Sequence, residues 1–132
     1  MESTLQDRPR WLTPVSVFAI LFGLLTLKEG GAVIFVDGAA RLAAGNYVPF
    51  VLWFNFSAGF FYIVAGIGLW RMRLWAAQLT VVIATLTLLV FAAFGVHVVR
   101  GGAYELRTVM AMTLRSTAWL AISYVTNRFL SP

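Results

Sequence analysis

The chain has 132 residues, of which 61% are hydrophobic and only 11% charged, and its mean hydropathy is +0.85. An average soluble domain is about 45–50% apolar and about 25% charged, so this chain has too few polar side chains to cover a globule in water. The net charge of +5 comes from basic residues that stand singly or in pairs, which excludes the continuous basic surface that nucleic-acid binding requires.

Composition therefore predicts an all-α polytopic membrane protein that forms one domain. There are no cysteines, which excludes disulfides, thiolate metal sites and thiol redox chemistry. The lipid bilayer is the first expected partner. A second copy of the chain or another membrane protein is a further possible partner, and nothing in the pattern identifies a cofactor.

Four segments have the roughly 20 mostly apolar residues that a membrane-spanning helix needs. They lie at about 12–36, 48–70, 74–99 and 106–126. We expect Thr13-Pro14 and Asn46 with Pro49 to begin the first two helices, since proline suits the first turn. Residues 38–46 between them indicate a short interfacial helix or a loop.

Short turns join the later segments. Arg71-Met72-Arg73 separates the second from the third, and residues 100–104 separate the third from the fourth. Turns this short place consecutive helices side by side and antiparallel. The predicted fold is a compact antiparallel four-transmembrane-helix bundle.

The distribution of arginine and lysine predicts the orientation, because cytoplasmic loops are enriched in both. With the N-terminus inside, five basic residues are cytoplasmic and four are outside: Arg8, Arg10, Arg71, Arg73 and Arg128 against Lys28, Arg41, Arg100 and Arg107. We therefore expect a bacterial inner-membrane protein with both termini in the cytoplasm.

Small residues recur on the predicted helices, as expected where helices associate by close packing in lipid. The first helix has Ala19 and Gly23 four residues apart, and the second has Gly59, Gly66 and Gly68. These positions predict close helix contacts.

Polar residues gather toward the predicted outer half of the bundle. Counting along the helices places six there: Glu29, Asn55, His97, Glu105, Arg107 and Arg115. Ionisable groups in a membrane are costly, so each is a candidate functional residue. Arg115 cannot be neutralised, which leaves two interpretations: an Arg–Glu clamp with Glu29 or Glu105, or a cation that binds an anion or a lipid headgroup.

His97 is the only histidine. It is interpreted either as an interfacial hydrogen-bonding residue or as a group that titrates near neutral pH. A metal site would need partners, either Glu29 and Glu105 or, for copper(I), Met110 and Met112. No metal-binding spacing supports such a site, so none is predicted. The remaining aromatic candidates for a pocket wall are Trp53, Tyr62 and Trp119.

In size and helix number the chain resembles small bacterial four-helix families, including DoxX-like proteins and small multidrug-resistance exporters. The essential glutamate of those exporters lies deep in a long apolar first helix, whereas Glu29 lies near the end of its helix beside Lys28. The resemblance to DoxX-like proteins covers topology and the polar end of the first helix, and it implies no site residues.

Three functions are compatible with this pattern. The first is a binding or accessory subunit that packs with a partner, or that holds a lipid-like or quinone-like ligand at the polar site. The second is a small transporter or proton-coupled exporter that uses Glu29 and His97. The third is a membrane enzyme for a lipid-soluble substrate, with His97 and Glu105 as an acid–base pair.

Overall fold

A computed structural model describes residues 9–130, and all secondary structure in that range is helical. The elements in chain order are α1 (Leu12–Phe35), α2 (Ala39–Ala44), α3 (Pro49–Trp70), α4 (Leu74–Val99) and α5 (Leu106–Leu130). Arg8, which entered the orientation argument, lies outside the described residues.

The helix ends differ from the expected caps in two places. Trp11 precedes α1 and Val48 precedes α3, and neither gives a side-chain capping hydrogen bond. Thr13 and Asn46 are therefore not caps, although Pro49 does occupy the first turn of α3. Helix ends are defined only to within one or two residues, so a sequence predicts the first residue of a helix only approximately.

Three of the described helices are long and apolar enough to cross a membrane: α1, α3 and α4. Helices of this kind indicate a membrane location. The fourth long helix, α5, is not among them, because polar residues including Arg115 and Asn127 interrupt its apolar sequence.

Consecutive long helices pack against one another, with the most extensive contact between α1 and α3. Close approach at glycines explains that contact. A Cβ atom on Gly23 would lie 2.6 Å from the Gly59 carbonyl oxygen, and one on Gly66 would lie 2.6 Å from Ile20 Cγ1. The small-residue packing predicted for these two helices is confirmed.

Helices α3 and α4 end with the same hydrogen-bond pattern. Arg73 N–H donates to the Gly68 carbonyl, and Gly102 N–H donates to the His97 carbonyl, each at 2.9 Å. This bond closes a Schellman motif, whose central residue has a positive φ. That residue is Gly101 in the second turn (φ 86°) and, unusually, Met72 in the first (φ 55°).

Hydroxyl and amide groups join α4 to α5 near the α3–α4 turn. The Thr80 and Thr126 hydroxyl oxygens lie 3.3 Å apart, and Asn127 Nδ2 donates to the Ala77 carbonyl at 3.0 Å. Both threonines are fully buried. Short polar side chains of α4 and α5 therefore satisfy one another between the two helices in this half of the molecule.

Candidate functional site

A pocket of about 400 Å³ lies where α1 ends and α3 and α5 begin, with α2 along one side. We call it the α2-end pocket. Its lining residues are Thr26, Lys28, Glu29, Gly30, Ala32, Val33, Ala40, Ala43, Ala44, Tyr47, Val48, Val51, Leu52, Asn55, Glu105, Arg107, Thr108, Ala111 and Arg115. Polar groups from three long helices thus meet an apolar surface from α2 and α3.

Five of the six predicted polar residues line this pocket: Glu29, Asn55, Glu105, Arg107 and Arg115. Lys28 also lines it, so three basic and two acidic side chains face one space. With all of them ionised, the lining has an excess of one positive charge.

Arg115 is held by neutral groups from two other helices. Its Nη1 donates to the Thr26 hydroxyl on α1 at 3.0 Å and to the Tyr62 hydroxyl on α3 at 3.2 Å. Its guanidinium carbon also lies 4.9 Å from the centre of the Phe22 ring, which is a cation–π contact. Arg115 therefore joins α5 to α1 and α3.

The Arg–Glu clamp, one of the two interpretations of Arg115, is not formed among the described residues. Among the described residues Arg115 forms no ion pair, and its hydrogen bonds go to hydroxyls. Glu29 is exposed, and Glu105 Oε2 accepts a hydrogen bond from the Asn46 backbone N–H at 3.0 Å. Counting residues gave the correct level along the helices, but it could not show which way each side chain turns.

Glu105 has a structural role at the rim of the pocket. Besides holding the Asn46 N–H, its carboxylate packs against Gly45, where an added Cβ would lie 2.9 Å from Oε2. Gly45 has a φ of +64°, a conformation that glycine adopts readily. Glu105 thus fixes the α2–α3 connection to the start of α5.

Asn55 is the polar group of α3 in the lining. Its Oδ1 is buried and has no hydrogen-bond partner among the described residues. An unpaired buried acceptor costs about 1–3 kcal/mol. Asn55 therefore does not serve the stability of the fold in an obvious way.

His97 lies outside the α2-end pocket. Its Nε2–H donates to the Ala103 carbonyl at 2.9 Å, and its ring fills the space above Gly102, where a Cβ would collide with it. The ring borders a separate shallow depression that includes Phe50 and Arg100. The interpretation of His97 as an interfacial hydrogen-bonding residue agrees with this geometry.

The hypothetical metal-ligand sets are not brought together. Within residues 9–130 no three His, Asp or Glu side chains are placed to hold a metal ion. The two methionines considered for copper(I) do not share one environment, because Met112 is fully buried while Met110 is 65% exposed.

The three aromatic residues suggested as a pocket wall do not line it. Tyr62 and Trp119 are fully buried and their ring centres lie 4.8 Å apart in the core. Trp53 is half exposed and its ring meets Phe35 edge-on. The apolar wall consists instead of smaller residues: Val33, Val48, Val51, Leu52 and the alanines of α2.

Arg41 has a role that its sequence context did not reveal. Its Nε and Nη2 donate to the carbonyls of Val33 and Ile34 at 2.8 and 2.7 Å, so it satisfies the end of α1. It also lies 3.6 Å from the carboxylate of the exposed Asp37, four residues earlier in the chain. A basic residue that follows a helix end is a known way to bind its last carbonyls, and that signal was available in the sequence.

Neither protein-family models, nor curated proteins, nor solved structures gave a match to this chain.

Proposed function

We propose that this chain is a membrane-embedded binding or accessory subunit that holds an amphipathic, lipid-like or quinone-like molecule in the α2-end pocket. The observation that carries the proposal is the composition of the lining. Charged and amide groups from α1, α3 and α5 occupy one part of it, while Val48, Val51 and Leu52 provide an apolar wall. A ligand with a polar end and a hydrocarbon end suits both surfaces.

The volume also supports a small-molecule ligand. Ligand pockets in proteins generally measure about 300–1,000 Å³, and the α2-end pocket measures about 400 Å³. A polar headgroup with the first part of an acyl or isoprenoid chain fits this space, and the remainder of the chain would extend into the bilayer.

The proposal includes α5 as a fourth transmembrane helix, in a bundle with DoxX-like topology. The 25 residues of α5 rise about 37 Å at 1.5 Å per residue, enough to cross a hydrocarbon core of about 30 Å. Arg115 and Asn127 reduce its apolar character, yet both are bonded to neighbouring helices. We further propose the bacterial inner membrane, with both termini in the cytoplasm, on the basis of the arginine distribution.

The other two functions have less support. An exporter that uses Glu29 and His97, or an enzyme with His97 and Glu105 as a pair, needs both members at one site. His97 borders a different depression from the two glutamates.

Native mass spectrometry of gently extracted protein tests the proposed function. We expect one amphipathic molecule to remain bound per chain, and Ala111→Phe, which fills the pocket, to remove it. Ala121→Phe is the matched control, because Ala121 is exposed on the same helix and is not part of the lining. A parent protein that retains no such molecule from its membrane, or an equal loss in both variants, would refute the proposal.

A further inference from the structure

We propose that the ligand of the α2-end pocket is anionic, with a carboxylate or phosphate group bound by Arg115. This inference rests on the proposed function and adds the chemical class of the headgroup. A neutral quinone would leave the charge of Arg115 unbalanced.

The positive charge of Arg115 is not balanced by the groups that it contacts. Arg115 is always protonated, and it lies part-buried between three helices. The Thr26 and Tyr62 hydroxyls accept its hydrogen bonds but carry no opposite charge. A buried cation without a counterion is expensive, so charges in such positions are normally paired.

The lining has two carboxylates that could supply the opposite charge. Glu105 lies in the lining, but its Oε2 is bonded to the Asn46 N–H. Glu29 is exposed beside Lys28 at the rim. Neither forms an ion pair with Arg115, and Asp37, the third acidic residue of the described part, is paired with Arg41. No counterion for Arg115 therefore lies among residues 9–130, and a bound ligand could supply it.

The guanidinium of Arg115 is held in one orientation. Nη1 is occupied by two hydroxyls and the guanidinium plane is near the Phe22 ring, which together fix its orientation. Its Nε is buried and has no acceptor among the described residues. A fixed guanidinium edge suits a carboxylate or phosphate oxygen, because charge-assisted hydrogen bonds of this kind are short and strong.

The remaining basic residues strengthen the preference for an anion. Lys28 and Arg107 line the same pocket and are exposed. With Arg115 they outnumber the two glutamates of the lining by one positive charge, while the apolar wall of Val48, Val51 and Leu52 favours a ligand that also has a hydrocarbon chain. A free phosphate ion shares the headgroup chemistry but makes no use of that wall.

The test compares defined lipids on the intact protein. The chain is reconstituted into phosphatidylcholine nanodiscs that contain small equal fractions of phosphatidylglycerol with the same acyl chains and of a short-chain ubiquinone. Native mass spectrometry then counts the molecules retained after release. We expect phosphatidylglycerol to be retained about tenfold more than ubiquinone, which has no anionic group, since a hydrogen bond to a charged group is worth at least that factor. Phosphatidylcholine also has a phosphate group, but its headgroup has no net charge, and it serves as the background lipid.

Two variants locate the effect. Arg115→Gln should reduce the preference to near parity, while Arg115→Lys should keep part of it because the charge remains. Arg128→Gln is the matched control, since Arg128 is exposed on α5 and bonds to Tyr124. Equal loss of preference in Arg128→Gln and Arg115→Gln would overturn the assignment.

The selectivity of the parent protein decides the matter even if Arg115→Gln does not fold. Retention of ubiquinone as strong as that of phosphatidylglycerol would refute an anionic ligand and leave the proposed function intact. Retention of no amphiphile would refute the proposed function as well. Titration with inorganic phosphate separates the sources: displacement of the lipid by millimolar phosphate would support the anion site and assign a soluble ligand to it.

Discussion

The Tyr62 hydroxyl on α3 accepts a 3.2 Å hydrogen bond from Arg115 on α5. One turn further along α5, Trp119 packs against the same tyrosine, with ring centres 4.8 Å apart. Residues four apart lie on one face of a helix, so Arg115 and Trp119 hold Tyr62 from two sides. This contact places the guanidinium at the boundary between the aromatic core and the α2-end pocket.

Tyr62→Phe should lower the free energy of unfolding by about 1 kcal/mol, because it removes one of the two acceptors of a part-buried guanidinium. The ring contact with Trp119 is preserved. Reversible unfolding in mixed micelles measures the change. Tyr124→Phe is the control. The Tyr124 hydroxyl accepts a hydrogen bond from Arg128, but both side chains are exposed. Equal losses in the two variants would contradict a special role for the Arg115 contact.

The two glutamates of the pocket should differ in their effect on stability. Glu105→Ala removes the acceptor of the Asn46 N–H, and we expect a loss of about 1–2 kcal/mol. Glu29→Ala removes an exposed side chain with no ion pair, and it should change stability by less than about 0.5 kcal/mol. The same unfolding assay compares them. A large loss in Glu29→Ala would contradict the assignment of Glu29 as an exposed side chain without a stabilising partner.

Asn55→Leu should leave the stability of the unliganded protein unchanged or raise it by about 1 kcal/mol. The buried Oδ1 has no hydrogen-bond partner among the described residues, so an apolar side chain of similar size removes the free-energy cost of burying an unpaired acceptor. The variant should at the same time retain less ligand in native mass spectrometry. A clear loss of stability without any change in ligand retention would assign Asn55 to the fold and not to the site.

Gly23→Ala should destabilise the α1–α3 contact by about 1–3 kcal/mol, because its Cβ would meet the Gly59 carbonyl oxygen at 2.6 Å and the helices would have to separate. Gly95→Ala provides the comparison. It lies within α4 with no atom within 4 Å of an added Cβ, so better helix propensity should stabilise it slightly. If both substitutions change the free energy of unfolding in the same direction, close packing at Gly23 is not a determinant of stability.

Composition and hydropathy predicted four membrane-spanning helices, and three of the described helices, α1, α3 and α4, are long and apolar enough to cross a bilayer. These three could be predicted because the length of an apolar segment is a direct physical requirement of the bilayer. The level of each polar residue along its helix also follows from simple counting. Glu29, Asn55, Glu105, Arg107 and Arg115 accordingly meet at one pocket.

The direction of each side chain could not be obtained in this way. A helix turns about 100° per residue, so a small error in rotation moves a group from a pocket to an adjacent surface, as with His97. The choice of acceptors for Arg115 depended on Thr26 and Tyr62, which belong to two other helices. Nothing local in the sequence specifies that pairing.

Saturable photolabelling tests the central claim, occupancy of the α2-end pocket by an amphipathic ligand, most directly. The protein in membranes is labelled with a phosphatidylglycerol that carries a diazirine near its headgroup, with and without excess unlabelled lipid, and the adducts are mapped by peptide sequencing. We predict that adducts on residues 48–55 and 108–111 disappear under competition, while adducts on exposed α4 residues such as Leu89 persist. Adducts on the pocket segments that resist competition as fully as those on α4 would contradict a ligand site there.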